Sequence, residues 1–111
     1  MKYLFSLATI LFIFQSSIFA QGAKVETATF QVPGNCGMCK KRIETAATIK
    51  GVSTATWNME TQQMEVKFNP QKTSIATIQQ SIAKAGHATE KFEANEKAYS
   101  NLHHCCKYKD E

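Results

Sequence analysis

Residues Val25 to Val32 read Val-Glu-Thr-Ala-Thr-Phe-Gln-Val, β-branched and aromatic side chains in rough alternation with polar ones, which predicts a strand. Pro33, Gly34 and Asn35 end it. From about Met38 to Lys50 the period changes: Cys39, Ile43, Ala46, Ala47 and Lys50 recur at three- and four-residue spacing, Ile49 widens the apolar stripe, and Gly51 stops it. That is a helix. Val52 to Asn58 and Gln63 to Phe68 read as two further strands around a turn at Met59 to Gln62, an antiparallel hairpin with Trp57, Met64, Val66 and Phe68 inward. After the Asn69-Pro70 breaker, Thr73 or Ser74 caps a second helix whose Ile75, Ile78, Ile82 and Ala85 share one face, and Gly86 suits a left-handed C-terminal cap. Ala88 to Phe92 is expected to be a short last strand. The order β-α-β-β-α-β predicts an α+β fold, the ferredoxin-like sandwich of a four-stranded antiparallel sheet with two helices on one face. The polar remainder, Glu93 to Glu111, is expected to start as a helix running to about His103, since Ala94, Lys97, Ala98 and Leu102 are good helix formers.

The first twenty residues fit a secretory signal peptide: Lys2 at the start, an apolar run from Leu4 to Phe14, and the small Ala20 before the cut. An uncleaved anchor is the alternative, but Gln15, Ser16 and Ser17 interrupt the run and it is short for a bilayer span. The expectation is an exported protein, periplasmic or secreted, touching a membrane only through that peptide. It divides into residues 1–20 (signal), 21–92 (one small domain) and 93–111 (tail). A domain of this size buries only about 60–65% of its unfolded surface, so a metal, a disulfide or a partner adds needed stability. The net charge of the whole chain is +4. Without Lys2 it is +3, too mild to imply nucleic acid. Lys40, Lys41 and Arg42 form either a solvated helix face or a docking patch for an acidic partner, and raise the local potential near Cys39 in both cases. No serine triad, phosphate loop or pair of catalytic acids is evident, so no enzyme is inferred.

The four cysteines fall into two local pairs, Cys36 with Cys39 and Cys105 with Cys106. Neither pair would staple distant segments, so loop closure offers little, and a reactive or metal-binding role suits the spacing better. Cys36 lies in the loop and Cys39 in the first helical turn. Unpaired backbone N–H groups and the cations that follow should favour their thiolate forms. Two such sulfurs select Cu(I), Zn(II) and similar thiophilic ions, and can release them again. Met38 between them reads as an exposed or packing residue, with thioether ligation the sharper alternative. His87, in the loop before the last expected strand, is placed at the same end of the sheet. It is either an exposed loop histidine or a third ligand that tunes release. His103-His104-Cys105-Cys106 follows a strand of about 17 Å and a helix of about 16 Å, lengths that would return these residues to Cys36 and Cys39. A shared site, a separate weak site or neither are the three readings left open.

The pattern resembles the heavy-metal-associated domain family, which includes small copper chaperones, the N-terminal modules of metal-pumping P-type ATPases and the periplasmic mercury-binding protein. The likeness runs from Val25 to about Phe92. It is carried by Cys36-x-x-Cys39 after the first strand, Lys40 with Ile43 and Glu44, the Gly51-Val52 step, and Ala85-Gly86. The family's usual motif is Gly-Met-x-Cys-x-x-Cys; here Gly34 occupies the methionine's place beneath the loop, which predicts a less rigid site. The resemblance implies copper first; export and the cysteine-rich tail put mercury second, with zinc third. The resemblance also implies transfer to a metal-transporting membrane protein or another metal-binding domain, a dimer bridged by one ion being left open. A thioredoxin-like redox role for Cys36 and Cys39 is the runner-up, and an interaction module with structural cysteines the third reading.

Overall fold

Strand alternation sets the sheet. In the computed structural model, which describes residues 24–109, β1 is Glu26–Gln31, β2 is Val52–Asn58 and β3 is Gln63–Phe68. The expected signal peptide lies outside the described residues. β3 is central, antiparallel to both neighbours, in the order β1-β3-β2. The register places Phe30, Met64 and Trp57 in one row across the three strands. All three are buried. In the β2–β3 turn, Asn58 Oδ1 accepts from the amides of Glu60 and Thr61 at 2.8 and 2.9 Å. This fixes the hairpin that the alternation predicts.

Two helices cover the buried face. α1 is Gly37–Ala47 and α2 is Ile75–Lys84. Ile43 and Ala47 of α1 join Ile78 and Ile82 of α2 in one core with Trp57, Met64, Val66 and Phe68. Each fully buried Ile or Val in that cluster stabilises the fold by about 1.5–3 kcal/mol. α1 stops at Ala47, three residues before the predicted end: Thr48 leaves helical geometry (φ −84°, ψ 62°) while its amide and hydroxyl both donate to the Glu44 carbonyl, at 3.1 and 2.6 Å. α2 starts where expected: Ser74 Oγ accepts from the Thr77 amide at 3.2 Å. Gly86, at φ +106°, turns the chain out of α2 as a left-handed residue must.

Two expectations are corrected after Gly86. Ala88 to Phe92 does not form a fourth strand, and the sheet has three strands among the described residues. The amides that would pair with β1 are used elsewhere. Ala88 donates to the Tyr108 hydroxyl at 2.9 Å, Thr89 to the Phe92 carbonyl at 2.9 Å, and Lys91 to the Gln79 side chain at 3.1 Å. The long tail helix is likewise reduced. α3 is only Glu96–Ser100, started by the Asn95 side chain, which accepts from the Ala98 amide. A single 3-10 turn, His104–Cys106, follows. The tail nevertheless packs inward: Leu102 and Cys106 belong to the same core as the helices.

Candidate metal centre

The loop from β1 into α1 carries the first sulfur pair. Cys36 is the residue before the helix, with extended backbone (φ −146°, ψ 175°), and its side chain makes no capping bond. Its thiol is thus free for other chemistry. Cys39 sits one turn in on the buried face of α1, where its Sγ accepts from the Asn35 amide at 3.4 Å. The two Sγ atoms are 3.4 Å apart.

Four contacts hold this loop. Trp57 Nε1 donates to the Val32 carbonyl at 2.9 Å, Gln62 Nε2 to the Gly34 carbonyl at 2.9 Å, and His87 Nδ1 to the Pro33 carbonyl at 2.9 Å. Asn35 Nδ2 reaches the Lys107 carbonyl in the tail at 3.3 Å. Beneath the loop, Gly34 lies so close to the Trp57 indole that a Cβ would stand 2.9 Å from its Cζ2. The indole therefore fills the space that the absent methionine would leave.

The tail brings the second pair to the first. α3 passes directly over Gly86, where a Cβ would meet the Ala98 carbonyl carbon and the Tyr99 nitrogen at 3.1 Å each. Tyr108 then anchors the end: its hydroxyl donates to the Gly86 carbonyl at 2.9 Å while accepting from Ala88, and its ring stacks on His87 at 5.2 Å. In consequence Cys105 Sγ lies 2.8 Å and Cys106 Sγ 3.3 Å from Cys36 Sγ. The ligand atoms of Cys36, Cys39 and Cys106 all lie within 4.8 Å of one another, close enough for one ion to reach all three. Cys105 is half-buried and Cys106 fully buried.

Burial pushes the Cys36 thiol up, but hydrogen bonds from Cys105, the Cys39 backbone, Cys106 and Cys39 reverse this and bring it down to about 6. Cys105 is raised, first by its hydrogen bond to Cys36 and then by burial. Burial also raises Cys106, with its bonds to Cys39 and Cys36 acting in the same direction. The thiolate form is thus favoured at Cys36, which Cys105 and Cys106 contact at 2.8 and 3.3 Å.

The histidines sit differently. His87 is buried at the same end of the fold, not exposed. Burial lowers its pKa, the Pro33 carbonyl opposes this, and Arg42 adds to it. Its Nδ1 proton is committed to Pro33, and it stands outside the three-sulfur group. His103 and His104 are exposed and also stand outside that group. Of the basic run, Lys40 is tied to Glu44 and to the Trp57 carbonyl, which leaves Lys41 as the exposed cation. Met38 is 48% exposed, and its Sδ lies 3.9 Å from Cys105 Sγ. The anchoring role of Tyr108 had no sequence expectation; an aromatic two residues beyond the cysteines in a polar tail was the available signal.

Fold and sulfur cluster together define a small soft-metal-binding domain. The heavy-metal-associated domain profile matches residues 29–88, over half of the chain, and the chain belongs to that family. The family consists of metal carriers rather than enzymes. Among solved structures, the "CopZ metallochaperone" shares 29% identity at a TM-score of 0.56, over 58% of this chain and 98% of that one. Oxidized MerP from Ralstonia metallidurans CH34 shares 32% identity at a TM-score of 0.57, over 60% and 96%. The water-soluble region of the P-type ATPase CopA from Bacillus subtilis shares 31% at 0.57, over 61% of this chain and 46% of that one. No curated protein matches the chain in sequence. The redox alternative rested on Cys-x-x-Cys at a helix start, and the fold that carries the motif here is that of the metal-binding family.

Proposed function

We propose that this protein is an exported carrier of a soft metal ion, Cu(I) before Hg(II) or Zn(II), which it binds through Cys36 and Cys39 and gives up to an acceptor protein. The observation that carries the reading is the sulfur pair at the start of α1, 3.4 Å apart, with hydrogen bonds from neighbouring thiols favouring the thiolate form of Cys36. A thiolate is the form that binds a metal, and two of them leave the ion open to attack by a third. The arriving ion displaces the remaining thiol proton to solvent. An acceptor thiolate then joins the ion before a donor thiolate leaves, so coordination passes through three sulfurs without a change of oxidation state. The signal-like N-terminus supports export. The likeness to CopZ and to the soluble region of CopA supports copper and an acceptor on a metal-transporting membrane protein, and the likeness to MerP keeps mercury as the second ion.

The test is a Cu(I) titration of the reduced protein against a chromogenic chelator, followed by incubation with a separate Cys-x-x-Cys acceptor domain. One ion per chain and transfer to the acceptor are expected, and a dimer bridged by one ion would read as half that stoichiometry. A C36S/C39S variant that binds and delivers Cu(I) like the parent overturns the assignment.

A further inference from the structure

The tail lies beyond the family match, which ends at residue 88, yet it is built into the core and aimed at the sulfurs. Cys106 is 0% exposed and 3.3 Å from Cys36 Sγ. A cysteine used only as a small apolar filler has no need to face two other thiols. Cys105 takes the opposite position: it is half-buried, 2.8 Å from Cys36, 3.9 Å from Cys106 and 3.9 Å from the Sδ of exposed Met38. Soft donors therefore run without a gap of more than 3.9 Å from the protein surface to the buried face of α1: Met38, Cys105, Cys36, then Cys39 and Cys106.

We propose that Cys106 is a third ligand to the ion held by Cys36 and Cys39, and that Cys105 together with Met38 is the port through which the ion enters and leaves. This rests on the carrier reading above and adds to it the coordination number and the route. The resting ion is held by three sulfurs within one chain. Movement along the port is ligand exchange alone: an incoming thiol releases its proton to solvent as it binds, a departing thiolate takes one up, and the Met38 thioether exchanges without a proton. The ion keeps its charge state throughout. The donor set of three thiolates with an outer thioether fits Cu(I), which accepts low coordination by soft sulfur, better than Zn(II), whose structural sites are four-coordinate.

X-ray absorption on the reduced chain at one equivalent of Cu(I) is the first measurement, and it needs no variant. Three sulfur neighbours are expected. Two sulfurs in the parent overturn the inference while leaving the Cys36/Cys39 carrier reading intact. C106S should fall to two sulfurs and lose affinity by about 10- to 100-fold or more, at least the effect of disturbing a ligand's supporting shell. Unchanged coordination and affinity in C106S overturn the third-ligand role. C105S and M38L should keep three sulfurs but pass Cu(I) to the acceptor domain about tenfold more slowly, a barrier change of about 1.4 kcal/mol. Transfer at the parental rate in both variants overturns the port. The C36S/C39S result decides the carrier reading by itself, so the two failures are distinguishable.

Discussion

One methyl group at Gly34 should be costly, because the loop that carries Cys36 rests directly on an indole. A Cβ at Gly34 would stand 2.9 and 3.0 Å from Cζ2 and Cη2 of Trp57 and 3.2 Å from Cβ of Cys39. Neither neighbour has room to retreat: Trp57 is 1% exposed and tied through Nε1 to Val32, and Cys39 is fully buried. Overpacking of this kind costs about 1–3 kcal/mol. The stiffer unfolded chain of an alanine variant returns about 0.4–1 kcal/mol. Gly34→Ala should therefore lose about 1–2 kcal/mol net, which for a domain of this size lowers Tm by roughly 5–15 °C. Gly37→Ala is the matched control, since nothing lies within 4 Å of a Cβ there and the residue is the first of α1. As alanine is the better helix former, its Tm should hold or rise. Thermal and urea unfolding followed by Trp57 emission, the chain's single tryptophan, reads both variants. A Gly34→Ala protein as stable as the parent, or an equal loss in both variants, would refute the packing argument.

Two further outcomes follow from the sulfur cluster and the tail anchor. Ultraviolet absorbance of the reduced, metal-free protein should show a first thiolate forming near pH 6, with C105A moving that step upward because it removes a donor to Cys36; absence of any thiolate until the ordinary value of 9.0 would contradict it. The unfolded chain binds the extra proton between those values, so the Cys36 contribution to stability is present above 9.0 and lost as pH falls through about 6, while raised Cys105 and Cys106 withdraw theirs above 9.0. Tyr108→Phe deletes the hydroxyl that joins the Gly86 carbonyl to the Ala88 amide. It should cost about 1–3 kcal/mol in urea unfolding and speed alkylation of Cys105; no change in either measurement would remove Tyr108 as the anchor.

Sequence pattern read the hairpin well because its determinants are local. Val52–Asn58 and Gln63–Phe68 have the predicted boundaries, and the four residues expected inward from them are buried. The last expected strand failed for a non-local reason. Ala88 and Lys91 lose their sheet bonds to Tyr108 and Gln79, 20 and 12 residues away, and neither partner is visible in the run Ala88 to Phe92. Similarly, Gly34 in the methionine's place suggested a looser loop, whereas Trp57, a strand away, supplies the floor. The return of the tail was one of three readings left open, and the strand and long helix whose lengths suggested it do not form. A five-residue helix capped at Asn101 and a 3-10 turn achieve what one longer helix was expected to do.

The tail and the ion then have to be thermodynamically linked, whatever the order in which they arrive. An ion held by Cys36, Cys39 and Cys106 binds more tightly when the tail is docked, so the part of the binding free energy that Cys106 supplies is also docking free energy. The 10- to 100-fold affinity difference expected for C106S corresponds to about 1.4–2.7 kcal/mol of coupling between ion and docked tail. A change at Gly86 or Tyr108 that leaves the tail largely undocked must therefore weaken metal binding, by at most that coupling, although neither residue offers a sulfur. An acceptor that strips the ion removes that added stabilisation and leaves the tail held by the packing of Leu102 and Cys106, by Tyr108 and its stacking on His87, and by the bond from Asn35 to Lys107. Met38 and the half-buried Cys105 are the sulfurs such an acceptor meets first, so delivery and loosening of the tail become two aspects of one exchange.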